Sequence, residues 1–300
     1  MHTLESLRGK IDTASDLSSV VRTMKTLAAV SIRQYERAVE ALSAYNRTVE
    51  LGFQIVLRDA SVRDQVFAVA PHGGSRQTGA IIFGTDQGMC GQFNERIAAT
   101  AQASHVKEDQ PWKVLAVGSR VEAHLLELDL SPEQTFSVPS SVSEITDLVQ
   151  DLLLAVDRWR EQSGITRLQV FYNRRITGAS CTPSQWQLLP IGRRRYNKWS
   201  RRAWDSASLP LFTMDRRHLL SCIVRQYLFV SLFRSCAESL SSENASRISA
   251  MQVAEKSIQQ RLEELRDSFN RIRQTAITEE LLDVVSGFEA LSKGRDEWGE

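Results

Sequence analysis

No proline follows Pro210, and no glycine occurs between Gly192 and Gly287. A helix filling residues 211 to 286 would extend about 110 Å at about 1.5 Å per residue, several times the width of a domain. A helical pattern of that length without internal caps indicates a coiled coil, a membrane span or a helical repeat. The chain has no internal repeat, and its apolar runs read as shorter than a membrane span. A coiled coil remains.

From Ile258 the apolar positions fall at Ile258, Leu262, Leu265, Phe269, Ile272 and Ala276, in alternating steps of four and three. This is a heptad seam, and a seam needs a partner. The N-terminus offers one: Leu7, Ala14, Val21, Ala28, Tyr35, Leu42, Val49 and Val56 recur every seven residues. Leu4, Ile11, Ile32, Val39 and Phe53 take the complementary positions, which Ser18, Lys25 and Asn46 share. Polar seam residues fix register or mark where a helix meets another protein. Two striped helices at opposite ends of a chain most simply form an antiparallel pair.

The middle alternates β-branched runs, "GAIIFGT" (79–85), "WKVLAVGS" (112–119) and "TRLQVFYNRRI" (166–176), with segments of helical spacing, "QFNERIAATAQAS" and "SEITDLVQDLLLAVDRWREQ". Such alternation predicts an α/β layer domain, with "SQWQLL" between Pro183 and Pro190 as its last strand. The expected fold is α/β: an antiparallel coiled coil of N- and C-terminal helices with an inserted Rossmann-like α/β domain. Its boundaries read as 1–58 for the first helix, 59–210 for the inserted domain, 211–287 for the second helix and 288–300 for a tail.

Gly84, Gly88 and Gly91 in "FGTDQGMCGQFN" sit between a strand and a helix, where a Rossmann fold places its phosphate turn. The spacing is GxxxGxxG, and no P-loop lysine follows, so a tight structural turn outweighs nucleotide binding. Asp86 in this turn is suited to bind backbone amides rather than to act as an acid or base. Cys90 at the helix start has no histidine placed by motif as its base. Without HExxH, GxSxG or a spaced carboxylate pair, no self-contained active site and no cofactor are expected.

Cys90, Cys181, Cys222 and Cys236 have no CxxC pairing, which argues against a zinc site and a disulfide framework. Cys90 and Cys181 are far apart in sequence, so no redox pair is expected. The net charge of +1 gives the chain no general attraction to nucleic acid or membrane. The exception is local: "RRRYNKWSRRAW" (193–204) interleaves six basic side chains, Arg193, Arg194, Arg195, Lys198, Arg201 and Arg202, with Tyr196, Trp199 and Trp204. Such a segment could serve as a platform for single-stranded nucleic acid. A solvated loop or hairpin tip, or contact with an acidic protein or lipid surface, fits a neutral chain better. The polar start, "MHTLESLRGKIDTASD", has no apolar leader core, which suits a cytoplasmic or matrix-side protein.

Three stretches carry a family resemblance. "ESLSSENASRISAMQVAEKSI" (238–258) followed by "FNRIRQTAITEELLDVVSGFEAL" (269–291) resembles the C-terminal helix of F-type ATP synthase gamma subunits. "KIDTASDLSSVVRTMKTLAAVSIRQYERA" (10–38) resembles the family's N-terminal helix, with Ile11, Met24, Lys25, Ala28 and Ala29 in register, and "TDQGMCGQFN" resembles its glycine turn. The resemblance covers essentially the whole chain.

It implies a central-stalk rotor without a catalytic site. A single copy would stand within three alpha and three beta subunits, with epsilon and the membrane ring of c subunits at its foot, on the cytoplasmic face of a bacterial inner membrane. By motif position, Met24, Lys25, Arg273, Gln274, Thr278 and Glu280 would contact the catalytic subunits. Val21, Ala28, Ile258, Leu262, Leu265, Phe269 and Ile272 would form the seam, and Asp86, Gly88 and Gly91 would shape the foot. The basic segment would touch the ring or lipid.

Departures from the pattern include Val30 and Ser31 in place of Ser-Lys, Gln87 for arginine, Gln92 for glycine, Ser241 and Ser246 for alanine, and Ile248 for methionine. They point to a divergent member, of the kind that an alternative sodium-linked ATPase would carry, although the ring makes the choice of ion. The reading from residues alone leaves two rivals. One is a coiled-coil scaffold or tether, which would self-associate; the other is an enzyme that binds a nucleotide through residues 79–94.

Overall fold

The structure, a computed structural model, describes residues 3–57, 77–108, 110–176, 181–200, 208 and 212–296. Two long helices flank a mixed layer: α1 (Leu4–Val56), β1 (Thr78–Phe83), α2 (Phe93–Glu108), β2 (Trp112–Val117), α3 (Ser119–Glu127), β3 (Gln134–Phe136), α4 (Val142–Ser163), β4 (Arg167–Arg175), β5 (Cys181–Leu189), α5 (Arg193–Ser200) and α6 (Arg216–Asp296). The chain separates into two compact units. One comprises Met1–Thr26 with Met251–Glu300, the other Leu27–Ala250.

The long helices begin at side-chain caps. Thr3 Oγ1 accepts the Ser6 N–H at 3.3 Å ahead of α1. Asp215 Oδ2 accepts the N–H groups of Arg217 at 3.0 Å and His218 at 3.3 Å ahead of α6. Each satisfies amides that the first helical turn leaves orphaned. α6 therefore starts at the first capping acid after Pro210, later than residue 211. It also runs through Gly287 to Asp296, so most of the expected tail is helical. A lone glycine costs a helix about 1 kcal/mol and does not end it.

In the larger unit, strands in the order β3-β2-β1-β4-β5 form one sheet, parallel except for β5, which runs antiparallel to β4. β1 is buried at every position. Ala80 and Ile82 pack with Ile97, Ala98, Val121 and Leu125 of α2 and α3. Ile81 and Phe83 belong to the second core with Ile145, Val149 and Leu152 of α4, Phe53 of α1, and Leu232 and Phe233 of α6. A parallel strand covered on both faces has no polar face to show, hence the unbroken "GAIIF" run. Burying a side chain such as Phe53, fully enclosed, contributes about 1.5–3 kcal/mol.

The structure departs from the sequence reading on three points. β3 has only three residues and α3 nine, too few for a periodic signal. The basic segment is no loop or hairpin tip, because residues 193–200 form α5. Third, α6 contains a stretch long and apolar enough, by length and composition, to cross a membrane, contrary to the expectation of none. Its Leu228, Val230, Leu232 and Phe233 are core residues of the larger unit, which accounts for the apolarity.

Candidate functional site

In the smaller unit α1 and α6 run antiparallel. Lys25 Nζ lies 2.5 Å from Glu255 Oε2, while Leu7 and Lys10, earlier on α1, share a cavity wall with Leu265 and Ile272, later on α6. Leu7, Met251, Leu262 and Leu265 are buried. Val21, Ile258, Phe269, Ile272 and Ala276 are half-buried, and the side chains between these α6 positions are mainly exposed. Burial thus steps by three and four along α6, the signature of knobs packing into holes. Ala28, which belongs to the larger unit, is buried there.

The residues expected to contact catalytic subunits separate into two groups. Met24 and Lys25 are half-buried, and the Lys25 ammonium is engaged by Glu255, with Arg22 Nε 3.6 Å from the same carboxylate. The hydrogen bond from Lys25 is the main cause that holds the Glu255 carboxyl below its ordinary range. Arg273, Gln274, Thr278 and Glu280 are exposed. Arg273 begins about 27 Å farther along α6 than Glu255, so the two groups do not meet on facing turns.

In the larger unit the strand order reverses at β1, between β2 and β4, which is where an open α/β sheet places a ligand. Here the polar groups of the glycine turn satisfy one another. Asn94 Oδ1 accepts the Thr85 N–H at 3.0 Å, Asn94 Nδ2 donates to Thr85 Oγ1 at 2.8 Å, and Thr85 Oγ1 donates to the Gln87 carbonyl at 2.8 Å. Asp86 binds backbone amides, the role its position predicts, accepting the N–H groups of Ser119 and Val138 at 2.7 Å each. It thereby ties the end of β1 to the start of α3 and to the chain leaving β3.

Glycine is required at two places here. A Cβ on Gly84 would stand 2.2 Å from the Val121 Cβ, and one on Gly118, at φ +111°, would stand 2.7 Å from the Thr85 backbone. Gly91 has a left-handed φ of +61°, whereas Gly88 has open space around it. The turn shapes its domain and carries no lysine of the kind a P-loop needs.

The motif stretch of α6 is buried in this unit. Arg247 Nη2 lies 2.5 Å from Glu243 Oε1, with both side chains under a tenth exposed, and Arg247 Nη1 donates to Asn244 Oδ1 at 3.2 Å. Burial pushes the Glu243 carboxyl up, against the pull of Arg247. Ser246 Oγ sits 3.1 Å from Cys181 Sγ, which brings α6 against the first residue of β5. Cys181 in turn packs with Cys90 and Phe93 in one buried cluster, so two thiols distant in sequence share one site, both free. Sequence separation was no guide to their distance, because β5 returns antiparallel along β4. Glu243 and Arg247 were quoted in the motif, but their pairing was missed; an acid and a base one turn apart in an otherwise small-residue stretch was the available signal.

The basic segment divides between core and solvent. Trp199 is buried, stacked on Phe53 with ring centroids 4.7 Å apart and edge-on to Tyr227 at 5.8 Å. Arg195 is half-buried, its guanidinium 4.5 Å from the Trp186 ring centroid and donating to the Tyr227 hydroxyl. Arg194 and Lys198 are exposed. The backbone of Arg193 begins α5, and Arg201, Arg202 and Trp204 lie outside the described residues. A ring stacked inside a core cannot also stack on a base, so Trp199 is removed from any nucleic-acid platform.

A sequence profile described as ATP synthase matches residues 3–291. The ATP synthase gamma chain of Zymomonas mobilis is 23% identical over 304 residues, spanning 97% of this chain and 100% of that one. That of Granulibacter bethesdensis is 25% identical over 302 residues, with coverage of 97% and 100%. The chain belongs to the ATP synthase gamma-subunit family. Gamma subunits are non-catalytic, in keeping with a switch-point crevice whose polar groups are spent on each other.

Two solved assemblies share the fold. A chain of the Euglena gracilis mitochondrial ATP synthase, solved as an OSCP/F1/c-ring assembly, superposes with a TM-score of 0.63 at 17% identity, covering 97% of this gamma subunit and 95% of that chain. A chain of the Tetrahymena thermophila mitochondrial ATP synthase central stalk and c-ring gives 0.56 at 17% identity, covering 78% and 99%.

Proposed function

We propose that this gamma subunit is the central-stalk rotor of an F-type ATP synthase, present as one copy within three alpha and three beta subunits. Epsilon and the c ring would bind its foot, on the cytoplasmic face of a bacterial inner membrane. The observation that carries this reading is the antiparallel pair in the smaller unit. Leu7, Met251, Leu262 and Leu265 are buried on its seam, while Arg273, Gln274, Thr278 and Glu280, with apolar Leu281 and Leu282 beside them, are left on the outside. Such a pair presents a different face in each direction. Inside a ring of three similar stations, it would favour a different state of each catalytic subunit, and turning it would redistribute those preferences. The coupling is reciprocal: hydrolysis turns the shaft, and ion flow turns it back.

On this reading Met24 and Lys25 contact the catalytic subunits at one level and Arg273 to Glu280 at another. The exposed Arg194 and Lys198 of the basic segment face acidic loops of the ring or anionic headgroups. Co-expression with the alpha and beta subunits tests the assignment, followed by mass determination and ATPase assay. One copy per hexamer with rotation-coupled hydrolysis is expected; self-association without hexamer binding would favour the scaffold reading and reject this one.

A further inference from the structure

Where α1, β5, α5 and α6 meet within the unit Leu27–Ala250 lies a cavity of about 180 Å³. Three cations reach it, Arg195 and Lys198 from α5 and Arg234 from α6, against one acid, Glu50. Two of these charges are spent nearby: Arg234 Nε is 2.7 Å from Glu238, and Glu50 accepts the Asn46 amide at 3.1 Å. The other two are not. Lys198 is exposed and has no ion-pair partner among the described residues.

Arg195 is fixed from two sides, its guanidinium 4.5 Å from the Trp186 ring centroid and 5.7 Å from that of Tyr227. A guanidinium carries five N–H donors, and only the one given to the Tyr227 hydroxyl has an acceptor among the described residues. Beside it, Trp186 Nε1 is buried without an acceptor among the described residues. Aromatic faces thus hold an arginine fork in place, and the cavity that Arg195 lines is also lined by Trp186, whose indole N–H is unmet, and by the unpaired Lys198 ammonium. Every vacancy is a donor.

We propose that this cavity binds a phosphate-bearing anion, through the Arg195 fork, the Lys198 ammonium and the Trp186 indole N–H. A buried donor without an acceptor is destabilising, so an acceptor-rich ligand gains from each one it meets. A carboxylate offers two oxygens. A phosphate group offers more, enough to take the guanidinium fork in bidentate fashion and still reach a separate ammonium and indole. The phosphate could come from free orthophosphate or from the headgroup of an anionic phospholipid. The site stands independently of the rotor reading, since none of its geometry depends on a ring or a hexamer.

The test uses the full chain. Inorganic phosphate is titrated calorimetrically at constant ionic strength, and flotation is measured with phosphatidylglycerol and phosphatidylcholine vesicles. Saturable one-site phosphate binding, weakened at least about tenfold in both Lys198→Ala and Trp186→Phe with thermal unfolding unchanged, is the expected result for a free-phosphate site. Flotation with phosphatidylglycerol alone, reversed by phosphate and lost in both variants, supports the same chemistry with a headgroup as its source. Absence of phosphate binding together with equal flotation on both vesicles overturns the proposal, as does binding that both variants retain. Trp186→Phe keeps an aromatic face under Arg195 while removing the indole N–H together with its five-membered ring, and Lys198→Ala leaves that stack untouched, so a loss of binding in both with unchanged unfolding separates ligand binding from folding.

Discussion

At the scale of single residues, two ion pairs of similar length have different consequences because water reaches only one of them. Glu243 and Arg247 are enclosed in the larger unit. Removing one partner of such a pair strands a buried charge and costs about 3–5 kcal/mol. Arg247→Ala should lower the stability of the chain by that amount, read from the denaturant midpoint, whereas replacing both residues by leucine should restore much of the loss. A fall below about 1 kcal/mol in the single variant would reject the buried-pair description.

Glu255 with Lys25 is the open counterpart. Its folded carboxyl titrates below the ordinary glutamate range, chiefly because Lys25 donates to it. It contributes stability above the unfolded value, and that contribution is lost as pH falls through the lower folded value. Glu255→Gln should therefore flatten the acid limb of stability, measured as denaturant midpoints from neutral pH down through the carboxylate range. Parallel acid limbs for both proteins would show that the pair adds nothing. Neither pair's environment could be read from sequence: Glu243 and Arg247, one turn apart, would look the same on a surface and in a core, and Lys25 meets Glu255 only because the tertiary fold brings two distant helices together.

Among elements, the long helices were the most legible. Their signal is the absence of breakers combined with a seven-residue period, and both persist over many turns, so local noise averages out. The capping acid Asp215 and the extension through Gly287 moved the ends of α6 without altering its existence. The sheet was legible where strands are buried on both faces. β3 and α3 were not, since three and nine residues contain too few repeats of either pattern to stand out from chance. α5 was hidden by composition: its arginines suggest a solvated loop, while Trp199, stacked on Phe53, is what anchors it.

The seam gives the sharpest test at this scale. Leu262 is 4% exposed, so Leu262→Asp places an unpaired charge between two helices. The variant should lose several kcal/mol in the helix pair and either fail to assemble or uncouple hydrolysis from rotation. Normal rotation-coupled hydrolysis by this variant would sink the seam assignment.

For the whole molecule, function depends on separating what holds the subunit together from what touches others. Around the glycine turn and the motif stretch, the larger unit spends its polar side chains internally: Asp86 on two backbone amides, Asn94 on Thr85, and Arg247 on Glu243 and Asn244. The smaller unit keeps Arg273, Gln274, Thr278 and Glu280 exposed. If these carry contact with catalytic subunits, their removal should cost transmission but little stability, since exposed substitutions away from caps and cores usually fall within about 0.5 kcal/mol. The variant Arg273→Ala/Gln274→Ala should unfold at the wild-type denaturant midpoint. In a reconstituted complex it should still assemble, with a several-fold lower ratio of ion pumping to ATP hydrolysis. The expectation follows from linkage: a shaft shifts the state of a station only through the difference in its contact free energy with two states, and about 1.4 kcal/mol of that difference is a factor of ten. A coupling ratio that stays at the wild-type value while stability is unchanged would mean that these side chains are solvated bystanders, and would move the coupling contact to the level of Met24 and Lys25.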